Sequence, residues 1–169
     1  MTIHSDHPFV PPEGERDPFR RLRGQLPAPV TVWAAGEGRD RRGLTVSSVL
    51  VAAGDPAHVL GLVDEESPLW SEPPMTLTVN VLGPGHTYLA EAFAGTVPAP
   101  GGPFTQGDWT DSEWGPVLAD AAAWLGVRLV TERPRQVGWG LLLDGVVEHV
   151  ETRSSDVLTH VRGRYLPGS

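Results

Sequence analysis

Proline and glycine punctuate this chain so often that long regular helices have no room: 17 prolines and 20 glycines are spread over 169 residues. Proline lacks the amide that a helix interior needs, and glycine gives up more conformational freedom than any other residue when it is fixed in one. Short strands joined by turns are what such punctuation allows. The hydrophobic share, 40%, supplies enough apolar side chains for one core, and the length suits one domain better than two. The expected class is therefore β-rich.

Charge and composition remove several function classes. The formal net charge is −8, and arginines gather only locally, at Arg20, Arg21 and Arg23 and again at Arg39, Arg41 and Arg42. That balance argues against a nucleic-acid surface and leaves room for a small anionic ligand. Cysteine is absent, so disulfides, thiolate nucleophiles and Cys-ligated metals are excluded and redox chemistry needs a borrowed cofactor. Histidines at 4, 7, 58, 86, 149 and 160 show no metal-ligand spacing, and no G-x-S-x-G elbow occurs. No basic start is followed by an apolar run, and no stretch is apolar for the length of a membrane span. The expectation is a cytoplasmic protein with no membrane partner. Residues 1–16, polar and proline-rich, are expected to be a flexible tail, with 17–169 as the folded domain.

Along the chain, Asp17-Pro18 opens a short helix, the Asp capping free amides and the Pro fitting the first helical position. Phe19, Leu22 and Leu26 fall near one face of it, and Pro27 and Pro29 stop it. "VTVWAA" from Val30 reads as a strand, "GEGRDRRG" as an exposed turn, and "RRGLTVSSVLVAAGDP" (41–56) as the returning arm of a hairpin. "HVLGLVD" (58–64) predicts a strand covered on both faces, and "TLTVNVLG" (76–83) another strand. "HTYLAEAFAG" (86–95) places Leu89, Ala90 and Phe93 at helical spacing before a closing glycine. Residues 96–114 read as a surface loop long enough to have a task such as covering a site.

"AAAWLGVRLV", "VGWGLLLDGVVEHVE" and "LTHVRGRYLP" supply the last strands. The pattern gives about six or seven strands and two short helices, an arrangement that favours an antiparallel barrel over a parallel sheet. Trp33, Trp124 and Trp139 lie on strand-like runs and are expected in the core. Trp109 and Trp114, in the long loop, are candidates for stacking on a bound ring or packing at an interface. Asp108, Asp111 and Glu113 beside them read as a solvated acidic loop.

One stretch carries candidate chemistry. Gly43, Thr45, Ser47 and Ser48 place hydroxyl donors and a permissive backbone at a strand end, the parts that hold a phosphate dianion. Arg39, Arg41 and Arg42 are near enough in sequence to add charge-assisted bonds. From pattern alone, the plainer account of these hydroxyls is that they fill half-buried strand positions.

Several blocks, in order, shift that weighing. "PAPVTVW" followed by "GLTVSSVLVAAGDPAHVLGLV", then "TLTVNVLGPGHTYLAEAFAG", "WGPVLADAAAWLGVRLV" and "LTHVRGRYLP" together resemble the flavin reductase-like family of FMN-binding split barrels, over residues 17–167. The resemblance implies an antiparallel Greek-key split β-barrel that binds FMN, or FAD, and takes hydride from NADH or NADPH. It implies phosphate and ribityl contacts from Thr45, Val46, Ser47 and Ser48, with Ser67 as a further contact. Asn80, Val81 and Leu82 would lie beside the isoalloxazine ring, and His86 stands where the family often has Gln. A homodimer with flavin sites at the interface is implied as well, bringing Arg162 and Tyr165 near a site, along with a possible partner monooxygenase that uses the reduced flavin.

Two departures stand out. Where many flavin reductases carry G-D-H, this chain has Gly138-Trp139-Gly140, so the histidine on the nicotinamide side is missing. Ala53 replaces a hydroxyl residue late in the second strand. The first departure keeps open a flavin-binding protein that does not turn over NAD(P)H. A β-barrel interaction module without cofactor is the third possibility, with the Thr/Ser cluster purely structural.

Overall fold

The computed structural model describes residues 17–130, 134–154 and 156–168. The expected tail, 1–16, lies outside the described residues. Helix α1 (Pro18–Gln25) starts as the sequence predicts: Asp17 accepts a bond from the Phe19 amide at 3.0 Å, and Pro18 takes the first helical position. Strands β1 (Ala28–Pro29), β2 (Thr31–Ala35), β3 (Arg42–Val46), β4 (Val49–Ala52), β5 (His58–Val63) and β6 (Thr76–Val81) follow, then helix α2 (Thr87–Ala94). The second half contains β7 (Trp109–Asp111), β8 (Pro116–Leu118), β9 (Ala123–Leu129), β10 (Arg135–Val137), β11 (Gly140–Thr152), β12 (Val157–Val161) and β13 (Arg164–Gly168). The strands are more numerous than the sequence pattern suggests, because several are two or three residues long.

The main sheet runs β3-β2-β6-β9-β11-β5-β4, with β10 added against β11, and its pairings are antiparallel. Its two edge strands, β3 and β4, are consecutive in the chain and separated only by Ser47 and Ser48. A sheet whose first and last strands are covalent neighbours has to curl until they meet. The result is a half-barrel, as expected for the β-rich split-barrel class. Residues 41–56 are therefore not one hairpin arm. They cross from one edge of the sheet to the other, and the two serines form the corner.

The inside of the curl is filled by Trp33, fully buried on β2. Its indole reaches β5 on the far wall, where Gly61 leaves the space it occupies: a Cβ at residue 61 would run into the ring. The indole N–H donates to Thr31 Oγ1 at 3.1 Å, and that hydroxyl donates to the Val46 carbonyl at 2.6 Å, so the buried polar atoms are paired. Val46, Val59, Leu77, Val79, Val127 and Leu143 complete this core. Strand β5 alternates between buried and half-buried positions rather than being sealed on both faces.

A second core lies under α2, where Leu89, Ala90 and Phe93 pack on Val30, Val32, Leu118 and Leu158. Gly95 closes the helix in the left-handed conformation, φ 74°, which costs glycine nothing. The loop from residue 96 onward runs over the surface as expected, with none of residues 96–114 buried, and two of its aromatic rings pack onto this core. Phe104 and Trp109 meet Phe93 edge to face at 4.9 and 5.4 Å, and Trp109 donates to the Gln106 carbonyl at 2.8 Å. Strand β7 then pairs with β8. A third small sheet, β1-β12-β13, closes the bottom of this region.

Candidate functional site

The rim of the half-barrel at the Ser47–Ser48 corner brings several of the predicted residues into line. Thr31 on β2 pairs with Val46 on one side and Val81 on the other. One residue farther on, Ser47, Val30 and Leu82 therefore sit on the same rim, about two strand spacings (~10 Å) from end to end. Ser47 and Ser48 are exposed, and among the described residues their hydroxyls make no hydrogen bond. The Ser48 carbonyl instead accepts the Leu62 amide at 3.0 Å, which pins the corner to β5.

Both serines open onto a cleft of about 500 Å³ walled by Pro27, Pro29, Val49, Leu50, Leu60 and Leu142. A second cleft, of about 770 Å³, adjoins it and shares Ser48, Leu62 and Val137. Arg20 and Arg23 of α1 and the hairpin tip Gly138-Trp139-Gly140 line this larger one. Ser67 lies in the turn after β5, with its amide bonded to the carbonyl of Asp64, itself a lining residue of the larger cleft. The Ser67 hydroxyl is buried and has no partner among the described residues. Ser67 lines neither of the two clefts, so its side chain lies behind their walls rather than on them.

The other predicted residues have different surroundings. The Thr45 hydroxyl donates to the Ala90 carbonyl of α2 at 2.6 Å, turned toward the helix. Val46 is buried on the inner face. Asn80 is fully buried and braces the interior: its amide donates to Val32, Thr78 and Pro116, and its Oδ1 accepts the Leu118 amide at 2.9 Å. Leu82 is buried, while Val81 is half-buried. His86 accepts the Gly83 amide on Nδ1 at 3.0 Å and faces Asp120 through Nε2 at 3.1 Å.

Tyr165 rests on the second core with the His160 ring 5.0 Å away, and burial, with Glu91 nearby, raises its phenol above the usual range. Arg162 stands in the left-handed region, φ 52°, in a two-residue turn with Gly163, and its amide donates to the Gly24 carbonyl of α1 at 2.7 Å. That bond fastens an otherwise unburied helix to the β12–β13 turn.

One aromatic expectation changes. Trp139 is not in the core: it is 98% exposed. Val137 pairs with Gly140, leaving Gly138-Trp139 as the two-residue loop of a hairpin, and Gly138 supplies the positive φ, 58°, at its first position. Neither loop tryptophan lines either of these two clefts. Trp114 packs over Gly126, stacks on His149 at 5.3 Å and donates to Glu148 at 3.0 Å. That bond, with Arg128, holds the Glu148 carboxyl below its ordinary range, so this contribution is present at neutral pH and lost as acid protonates the carboxylate.

The lining residues Arg20, Arg23, Pro27 and Pro29 were not singled out from sequence as site residues. The prolines that end the first helix are the signal that aims this segment back across the corner. Among the described residues no cluster of side chains could hold a metal ion, and no helix is long and apolar enough to cross a membrane.

The model of the flavin reductase like domain matches residues 22–169. The chain belongs to the flavin reductase-like family. It is 31% identical over 126 residues to the FMN reductase (NADH) RutF of Variovorax paradoxus, an alignment spanning 72% of this chain and 68% of that protein. The NADH:FAD oxidoreductase SgcE6 of Streptomyces globisporus, solved with NAD and FAD fragments, is 26% identical. It superposes with a TM-score of 0.78, covering 89% of this chain and 91% of its own. BorF, the flavin reductase component of a bacterial two-component tryptophan halogenase, shares the fold at 20% identity and a TM-score of 0.75, over 88% of this chain and 95% of BorF.

Proposed function

We propose that this family member is a cytoplasmic FMN reductase that passes hydride from NADH or NADPH to FMN, with FAD as the alternative flavin. The observation that carries this reading is the corner itself: two serine hydroxyls, unengaged among the described residues, beside a cleft with apolar walls. Those parts fit a flat apolar ring system that ends in a phosphate. When bound, the flavin supplies the redox chemistry by accepting the hydride, so the chain needs no nucleophile or catalytic acid of its own. Its residues bind and orient. Ser47 and Ser48 donate to phosphate or ribityl oxygens, and Pro29, Leu50 and Leu60 keep water off the ring. Asn80 fixes the rim from inside by tying β6 to β2 and β8.

A homodimer completes the site in this reading. Helix α1 buries none of its residues, and Phe19, Leu22, Leu26, Leu50 and Val51 are each more than half exposed. Large apolar side chains exposed in that number are the mark of an interface. A partner monooxygenase or related enzyme would then consume the reduced flavin.

Gly138-Trp139-Gly140 favours one second reading, a flavin protein that does not oxidise nicotinamide. Anaerobic stopped-flow mixing of the FMN-loaded protein with NADH and then NADPH separates the two. Rapid bleaching of the oxidised flavin band is expected with at least one of them. Tight FMN with no bleaching would favour the second reading, and failure to load FMN would end both.

A further inference from the structure

The outer face of β9 and β11 carries a cluster that the flavin site does not use. The register of β11 against β9 slips between Val147 and His149, a bulge of the kind that re-aims side chains. The His149 ring stacks on Trp114 at 5.3 Å and meets Trp124 at 4.4 Å. Each indole N–H donates to a carboxylate, Trp114 to Glu148 and Trp124 to Glu151, both at 3.0 Å. Each carboxylate also has an arginine, Arg128 at 3.2 Å from Glu148 and Arg153 at 2.7 Å from Glu151. Two glutamates and two arginines thus balance around one imidazole. Its Nε2 is buried, has no hydrogen-bond partner among the described residues and stands 4.0 Å from the Glu151 carboxylate.

In the neutral ring Nε2 is bare: as an acceptor it has no donor, and as a donor it is too far from Glu151 for a good bond. A proton taken up by the ring makes both nitrogens donors. It also sets a cation beside a carboxylate and within cation–π reach of two indoles. The loop that carries Trp114 adds only Glu113, exposed, and Asp111, already bonded to Arg41 at 2.8 Å. Trp114 belongs to the strap between β7 and β8, whose other end is held from inside: Asn80 donates to the Pro116 carbonyl and accepts the Leu118 amide. From these contacts we infer that His149 and Trp114 form a pH-sensitive latch, in which protonation of His149 fastens the strap of residues 112–118 to the outer face of β9 and β11 and deprotonation loosens it. The latch is independent of which ligand the clefts take.

The contribution is present in acid and lost as pH rises through the range, about 5 to 8, where a histidine ordinarily changes charge. It also needs both glutamates ionised. Bonds from Trp114 and Arg128 hold the Glu148 carboxyl below its ordinary range, and bonds from Arg153 and Trp124 do the same for Glu151, which keeps them charged in mild acid. The test is hydrogen exchange of the full chain at about pH 5.5 and about pH 8, each corrected for the intrinsic exchange rate. Backbone amides of residues 112–118 are expected to exchange about fivefold more slowly at the lower pH, while those of β2 show no such gain. His149→Phe keeps an aromatic ring in the stack but takes up no proton, so it should erase the pH difference. His149→Gln should erase it as well and leave the strap faster to exchange at both pH values.

Equal protection of the strap at the two pH values in the parent would overturn the inference, with no variant needed. So would a pH difference that survives His149→Phe, because it would then belong to the carboxylates. A slowing in acid shared equally by β2 would mark a change in the stability of the whole domain and would overturn a local latch too.

Discussion

The interior of the half-barrel and the face formed by α1, β4 and the β10–β11 hairpin use the same kinds of residue in opposite ways. Inside, Trp33 is fully buried, its N–H is paired and Gly61 has given up a side chain to receive it. Outside, Trp139 is almost wholly exposed, α1 buries nothing, and Leu50 and Val51 on an edge strand face solvent. The interior is complete within one chain. The outer face is not, and the Ser47 and Ser48 hydroxyls, unengaged among the described residues, lie along it. Stability and function are therefore assigned to different regions, which makes them separable by mutation.

Breaking the interior should have the largest effect. Trp33→Ala removes the side chain that spans the curl and is expected to cost about 3–5 kcal/mol, read from urea unfolding. A loss below about 1 kcal/mol would mean that the walls collapse onto the space and that the curl does not depend on the indole. Next comes the corner. Ser47→Ala combined with Ser48→Ala should raise the FMN Kd at least tenfold, as expected for bonds to a charged phosphate, while the melting temperature stays near that of the parent. An unchanged Kd would return the serines to a purely structural role. The smallest effect on the fold is expected from Leu22→Lys with Leu50→Lys. Both sites are exposed, so monomer stability should change by about 0.5 kcal/mol or less per site. Sedimentation should nonetheless show the dimer weakened, and a dimer that survives both charges would place the interface elsewhere.

How far the sequence could be read depends on whether a signal was local. Helix α2 was legible because Leu89, Ala90 and Phe93 recur at helical spacing and Gly95 stops them. The β2–β3 hairpin was legible from a β-branched run and a glycine-rich turn. The corner was not: "LTVSSVLV" keeps its strand character through both serines, and only the sheet order shows that the chain changes edges there. Strands β7 and β8 hid in a proline- and glycine-rich stretch whose order comes from Phe104 and Trp109 packing on Phe93, contacts that composition does not reveal.

At the corner, the family blocks led to Ser47 and Ser48, whose hydroxyls are exposed beside a cleft, and to Ser67, whose hydroxyl is buried. For Asn80 the sequence could not distinguish an amide facing a ring from one bracing two strands, since both need a polar residue at the end of β6. Trp139 was misplaced because a tryptophan in a turn and one in a strand have the same neighbours on paper when the turn is two residues long.

The two-residue corner also sets which changes in chain length the protein tolerates. Because β3 and β4 are the opposite edges of one sheet, any residue inserted between them must be absorbed by both registers at once. A shift of one position would turn each side chain of the slipped strand to the wrong face. The connection after α2 carries no such double constraint. Lineages descended from this chain should therefore vary freely in loop length after Gly95, while at residues 47 and 48 they can exchange one side chain for another but cannot add or lose a residue.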